Sequence, residues 1–246
     1  MAGQRILFLA RHGQGHPTNP SQVNYRANIY ALKSLGVTRI ISINACGSLR
    51  EDYQPGDLVV PDQIMDMTKS RKNTFFEDGF AAHVSTAEPY CPELSSHLAQ
   101  AVKSGDGRVH DQGAFLIIEG PRFSTRAESN TFRSWGMSII GMTAAPEAFL
   151  AREAEICYGA IAHITDYDVW HAREEEVSVE MVLKILAQNT DHAKQALAYL
   201  AENPPQEGRT CGCQSALESA MITNPAVIPP ATREKLDLLI AKYLKE

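Results

Sequence analysis

Ile156-Cys157-Tyr158-Gly159-Ala160-Ile161-Ala162-His163-Ile164 runs without a charge into Thr165-Asp166-Tyr167-Asp168-Val169-Trp170. An unbroken apolar run of this length reads as a strand buried on both faces, the habit of parallel strands in α/β proteins. Such sheets bind ligands in the crevice outside the carboxyl ends of their strands. Two carboxylates, Asp166 and Asp168, stand at that address. Ionised carboxylates only accept hydrogen bonds, so the pair suits a ligand that presents donors, such as an exocyclic amine. His163 and His171 flank the pair, but the four residues form no recognised coordination spacing, so no metal is expected.

Outward from this strand the chain alternates. Arg5 to Ala10 is a candidate strand, and Val23 to Leu35 places Ile29, Leu32 and Leu35 at helical spacing before Gly36, a helix stop. Further apolar runs at Arg39 to Asn44, Leu58 to Val60, Ala114 to Ile118 and Ser138 to Ile140 predict strands. Helical patterns at Pro92 to Lys103, Arg126 to Trp135 and Pro146 to Ala154 separate them. The alternation predicts an α/β fold with a mixed, mostly parallel sheet flanked by helices. Val179, Val182, Leu183, Leu186, Ala196, Leu197 and Leu200 then mark a long amphipathic helix. Asn203-Pro204-Pro205-Gln206-Glu207-Gly208 is a breaker, and helical pieces follow at Gln214 to Met221 and Thr232 to Leu244. The expected organisation is one domain over residues 1–202, with a linker and helical tail over 203–246 packed on it.

Composition narrows the function class. With 44% hydrophobic and 21% charged residues among 246, a sizeable core is available. The net charge of −6, without any basic cluster, argues against a nucleic-acid partner. No apolar stretch approaches the roughly 20 residues of a membrane span. The amino terminus has no signal-peptide layout, so a cytoplasmic protein is expected. Five scattered cysteines are an odd count, and Cys46, Cys91 and Cys157 read as reduced, partly buried thiols.

Three more segments carry chemistry. Leu7-Phe8-Leu9-Ala10-Arg11-His12-Gly13-Gln14-Gly15-His16 releases an Arg and a His into a Gly-rich turn, which reads either as an anion site or as a plain surface turn. It is no dinucleotide fingerprint, because no third glycine follows and Pro17 breaks the expected helix. Asn44-Ala45-Cys46-Gly47-Ser48 ends another strand in small residues, leaving room for a ligand or making a tight turn. Glu119-Gly120-Pro121-Arg122-Phe123-Ser124 and Gly141-Met142-Thr143 offer a ring that could stack on a base, a thioether that could pack on a sugar and a hydroxyl that could bond an anion. Phe123 and Met142 read equally as ordinary packing residues.

Taken in order, these stretches resemble the methylthioadenosine phosphorylases of the trimeric purine nucleoside phosphorylase family. The likeness also covers Val23-Asn24-Tyr25-Arg26-Ala27-Asn28, Pro55-Gly56-Asp57, Ala87-Glu88-Pro89-Tyr90-Cys91-Pro92 and Pro146-Glu147. The resemblance implies phosphorolysis of a purine nucleoside, without a cofactor and with phosphate as co-substrate. It implies that Arg11, His12, Ala45 and Thr143 hold phosphate, Met142 the ribose and Phe123 the purine. Asp166 would protonate N7 of the departing base and Asp168 would accept from its amino group. Val179, Val182 and Leu183 would line a methylthio pocket, reached by His83 of a neighbouring subunit, which implies a homotrimer or a dimer of trimers. A carboxylate at position 168 favours 6-aminopurines, whereas the 6-oxo group of inosine, guanosine or methylthioinosine would prefer a donor.

The chain departs from the family pattern in three places. Family members carry an extra strand and a Gly-Gly-Thr-Gly type loop before the Arg-His-Gly motif, and here only ten residues precede Arg11. Two expectations follow: either the natural protein begins upstream of this Met1, or this form has a weakened phosphate site or is a nucleoside-binding subunit without turnover. Asn44 stands where a Thr is common. Cys211-Gly212-Cys213 is similar to a pair that can be oxidised in some prokaryotic relatives, against two reduced thiols as the simpler expectation.

Overall fold

A computed structural model describes residues 5–105, 107–171, 191–192, 194–204 and 208–244. The strands are β1 (Arg39–Ser48), β2 (Leu58–Val59), β3 (Gln63–Asp66), β4 (Val109–His110), β5 (Ala114–Ile117), β6 (Ile139–Gly141) and β7 (Cys157–Asp166). They form one seven-stranded sheet in the order β3-β5-β6-β1-β7-β2-β4. The β1/β7, β2/β4, β3/β5 and β5/β6 pairs are parallel, and β1/β6 and β2/β7 are antiparallel. The fold is therefore the single-domain, mixed and mostly parallel α/β arrangement that the alternation predicts.

Every residue of β7 is buried, because the strand has a core on both sides. Helices α1 (Tyr25–Ser34) and α4 (Ala144–Glu153) cover one face, where Tyr158 and Ala160 of β7 meet Ile29, Leu150 and Phe75. Helix α2 (Pro92–Lys103) covers the other, where Cys157 and Ile161 meet Leu94 and Leu98. That packing is close enough to demand Gly159, since a Cβ there would fall 2.7 Å from Leu98 Cδ1. Local chemistry sets the helix ends. Asn24 caps α1 through Ala27 N–H, and Gly36 leaves it at φ 79°. Thr125 and Glu128 form a reciprocal capping box on α3 (Arg126–Ser134).

Two sequence expectations differ from the structure. Residues 5–10 form no strand, and Phe8 is 75% exposed. The central strand β1 is already flanked by β6 and β7, so the segment cannot pair beside it. Gln214 to Met221 is not an α-helix but a 3₁₀ turn, Gly212–Ser215, followed by turns. Its buried Cys213, Leu217 and Ala220 plug the core, and Glu155 accepts the Leu217 N–H that a helix would have used. The final helix runs Pro230–Ile240, and its Leu236, Leu239 and Ile240 join the same core cluster as Ile29. Of the long amphipathic helix, residues 194–202 are helical, while Val179, Val182 and Leu183 lie outside the described residues.

Candidate active site

The carboxyl ends of β1 and β7 make the site, and an irregularity aims it. The parallel register runs from Arg39 opposite Cys157 to Cys46 opposite Ile164, then slips so that Gly47 faces Asp166. A bulge at this point re-aims the following side chain. Asp166 Oδ2 accepts from Thr165 Oγ1 at 2.6 Å and Oδ1 from the Asp168 N–H at 2.7 Å. Burial raises the Asp166 pKa against these two bonds. Gly47 leaves the space: a Cβ there would lie 2.8 Å from Asp166 Oδ1 and 3.2 Å from Asp168 N.

Asp168 sits in the left-handed region at φ 52° and is buried. Burial also raises its pKa, opposed by the Ser129 and Ser124 hydroxyls and the Val169 N–H. Its Oδ2 makes no hydrogen bond of full geometry among the described residues, and the neighbouring Ser124 and Ser129 hydroxyls are likewise unpartnered. An orphaned buried carboxylate oxygen carries a desolvation penalty that a ligand donor would relieve. Trp170 locks the segment from behind, donating Nε1–H to Ser48 O at 2.8 Å beneath the Arg133 guanidinium.

A second network adjoins this end of β1. Arg11 donates from Nε to Glu147 Oε2 at 2.9 Å and from Nη2 to Glu147 Oε1 at 2.7 Å. Nη2 also bonds Ser42 Oγ at 2.5 Å and Nη1 bonds Ile43 O at 3.3 Å. Burial would lower the Arg11 pKa, but Glu147 more than offsets it and the guanidinium stays charged. Four of its five N–H groups are thereby held, which fixes the direction of the fifth. Tyr158 donates its hydroxyl to Glu147 at 2.9 Å. Thr143 Oγ1 bonds Asn44 Oδ1 at 3.1 Å, and Asn44 Nδ2 bonds Ser42 Oγ at 3.1 Å. Thus Arg11, Asn44 and Thr143 share one network beside Ala45. His12 turns toward its own loop, with Nδ1 2.8 Å from Thr18 O and its ring stacked on His16. Burial lowers its pKa, which favours the neutral ring.

The third wall is held by Arg71, whose side chain is 2% exposed. Its Nη1 donates to Met142 O and Ala145 O, both at 2.6 Å, and Nη2 to Glu119 O at 2.7 Å. This ties the loop bearing Phe123 to the Met142-Thr143 segment. Glu119 adds bonds from the Lys69 and Ser70 N–H groups and the Ser21 hydroxyl, which outweigh burial and lower its pKa to about 2. Met142 lies over the same loop, because a Cβ on Gly120 would come 2.6 Å from its Sδ. Phe123 is exposed on this loop. His83 is also on the surface, anchored by its N–H to Ala220 O at 2.8 Å.

Sequence reading missed Arg71, Ser42, Thr165 and the role of Glu147. Arg71 stands in a coil with no motif, so nothing local signals it. Glu147 beside Pro146 was visible as a motif, yet its bond to Arg11 crosses 136 positions.

Residues 1–202 match the phosphorylase superfamily. The S-methyl-5'-thioadenosine phosphorylase of Geobacter sulfurreducens is 52% identical over 243 residues, 98% of this chain and 85% of that protein. The one from Thermofilum pendens is 50% identical over 222 residues, 90% of this chain and 84% of its own. Among solved structures, a methylthioadenosine phosphorylase from an Antarctic soil metagenomic library superposes with a TM-score of 0.86 at 47% identity, covering 94% of this chain and 82% of that one. A methylthioadenosine phosphorylase from Schistosoma mansoni in complex with adenine gives 0.80 at 40% identity, covering 85% and 79%.

Proposed function

This chain belongs to the phosphorylase superfamily, and from that premise we propose that it cleaves S-methyl-5'-thioadenosine with phosphate, releasing adenine and methylthioribose 1-phosphate. It is an enzyme of pentosyl transfer. The observation that carries the reading is the pair at the end of β7: a buried Asp166 whose pKa is raised, two residues before a buried Asp168 whose Oδ2 has no partner among the described residues.

Phosphate attacks the anomeric carbon as the carbon–nitrogen bond breaks, through an oxocarbenium-like transition state of the glycoside-cleavage type. Adenine leaves poorly as an anion, so Asp166 protonates N7, a contribution typically worth roughly 10²–10⁴-fold. Its raised pKa keeps that proton available nearer neutrality. Asp168 accepts from the 6-amino group. Arg11, His12, Ala45 and Thr143 hold phosphate, where Glu147 and Asn44 keep the guanidinium and hydroxyl in fixed directions; such orientation lowers the entropy of the attack. Met142 packs on the ribose and Phe123 on the purine, both set by Arg71. The reaction uses no cofactor. His83 serves the methylthio pocket of a neighbouring subunit in a homotrimer, which its surface position permits, with Val179, Val182 and Leu183 lining that pocket. The protein works in the cytoplasm; among the described residues no helix is long and apolar enough to cross a membrane.

The test is adenine release from methylthioadenosine with and without phosphate. Release that rises from zero with phosphate concentration supports the proposal. Equal release without phosphate means hydrolysis, and saturable binding without turnover means a nucleoside-binding subunit; either outcome sinks it.

A further inference from the structure

Four of the five cysteines meet at one point. Cys91 caps the start of α2, Cys157 opens β7, and Cys211 and Cys213 flank Gly212 at the 3₁₀ turn. All four sulfurs lie within 4.8 Å of one another, with Cys157 Sγ and Cys211 Sγ 3.4 Å apart. Each is a free thiol. A disulfide needs a bond of about 2.05 Å, far shorter than that approach. A zinc ion in a tetrahedron of thiolates has Zn–S distances of about 2.3 Å, which sets its sulfurs about 3.8 Å apart, between the two separations observed. We propose that Cys91, Cys157, Cys211 and Cys213 form a structural site for one zinc ion.

The surroundings suit that charge. Zinc with four thiolates carries a net charge of −2, which a dry site tolerates only with cationic and N–H neighbours. Arg152 Nη1 lies 3.2 Å from Cys213 Sγ. Its Nε is buried and has no hydrogen-bond partner among the described residues, an odd state for a guanidinium packed on neutral thiols. Against an anionic zinc–thiolate centre it becomes the compensating charge. At Cys91 the sulfur faces the Leu94 backbone N–H in the first turn of α2, where the helix dipole favours negative charge. The approach of the Cys-Gly-Cys segment is fixed separately by Glu93, which accepts from Thr210 N–H at 3.0 Å, Thr210 Oγ1 at 2.8 Å and Cys211 N–H at 3.2 Å. Leu94, Leu98 and Ile161 share the core cluster of Cys91, Cys157 and Cys213, with Cys211 half-buried at its rim. No position is left open for substrate, as in closed structural zinc sites.

Cys157 and Asp166 are the two ends of β7, so the centre lies about 30 Å from the reacting groups at a strand rise of about 3.3 Å per residue. Its task is mechanical: it fastens the segment that leads to the final helix onto α2 and β7. Binding converts any thiols still protonated to thiolates and releases those protons to solvent.

The test is metal analysis of the full chain purified without chelator. One zinc per chain is expected, released in step with thiol modification by a mercurial and detected with a metallochromic dye. Cobalt(II) exchanged into the same protein should show thiolate-to-metal charge transfer and tetrahedral ligand-field bands. Cys213→Ser should lose the metal, and Arg152→Met should keep the ligands but weaken zinc roughly 10–100-fold, the usual effect of removing an outer partner. Should the serine variant fail to fold, zinc content and the cobalt spectrum of the wild type still decide. Reduced protein that takes up no zinc, or an intact mass showing these cysteines joined as disulfides, overturns the proposal.

Discussion

Replacing Asp168 by Asn changes the polarity of the group proposed to read the base while disturbing little else. The residue sits at φ 52°, a left-handed conformation that Asn adopts as readily as Asp, so the backbone after β7 should be kept. Asp168 is buried and its Oδ2 has no partner among the described residues, so a ligand donor that met it would do so away from water. A hydrogen bond to a charged group there contributes about 1.5–3 kcal/mol, and Asn can still accept through its carbonyl if the amide turns that way. The net loss on methylthioadenosine is therefore at most about 1.5–3 kcal/mol, roughly 10–150-fold in kcat/KM. With inosine the amide N–H₂ meets the 6-oxo group and the rate should rise. The assay is initial rates on both nucleosides at saturating phosphate, with the thermal midpoint as a control for folding. A selectivity ratio that stays within twofold of wild type refutes the assignment of Asp168 to the 6-position. So does an equal fall for both substrates, which would make Asp168 a general support of the site.

Three further outcomes follow from the geometry. Gly47→Ala should lower kcat on the order of 10²-fold, since the new Cβ displaces Asp166 from a position 2.8 Å away; steady-state kinetics with unchanged secondary structure would check it. Arg71→Met leaves the Glu119 carboxylate and the Met142 and Ala145 carbonyls without their shared donor, and should destabilise by about 3–5 kcal/mol, lowering the thermal midpoint on the order of 10 °C. Glu153, buried against the Phe75 N–H and Thr74 hydroxyl, has its pKa raised by burial from 4.5 to about 7. The folded state therefore holds this proton more tightly than the unfolded chain, so its contribution is full below pH 4.5 and is lost as pH rises to about 7. The shift corresponds to roughly 3 kcal/mol. Glu153→Gln should flatten the stability profile across that window in denaturant titrations, and an unchanged slope would exclude Glu153 as its source.

Most of the sheet was legible because β1, β5, β6 and β7 are continuous apolar runs, and α2 and α3 announce themselves by Pro92 at the first turn and by the Thr125–Glu128 box. Residues 5–10 show the limit of that signal. Their apolar pattern matches a strand, but a strand also needs a partner within reach, and pairing is not a local property. The Gln214 to Met221 segment fails for a related reason: Glu155, distant in sequence, takes the backbone group on which a helix would depend.

The sequence by itself determined that β7 is buried on both faces and ends in two carboxylates, and its ordered motifs sufficed to place the chain in its family. Those are facts of composition and spacing within short segments. Tertiary structure decided what the carboxylates do differently. The register slip opposite Gly47 turns Asp166 onto Thr165, while Asp168, in its left-handed turn, has no partner for Oδ2 among the described residues. It also decided the fate of four cysteines spread over 123 positions from Cys91 to Cys213, which a linear reading separates into scattered thiols and a pair. Only the packing of a helix start, a strand start and a tail turn at one end of the sheet brings their sulfurs together, because coordination depends on distance in space.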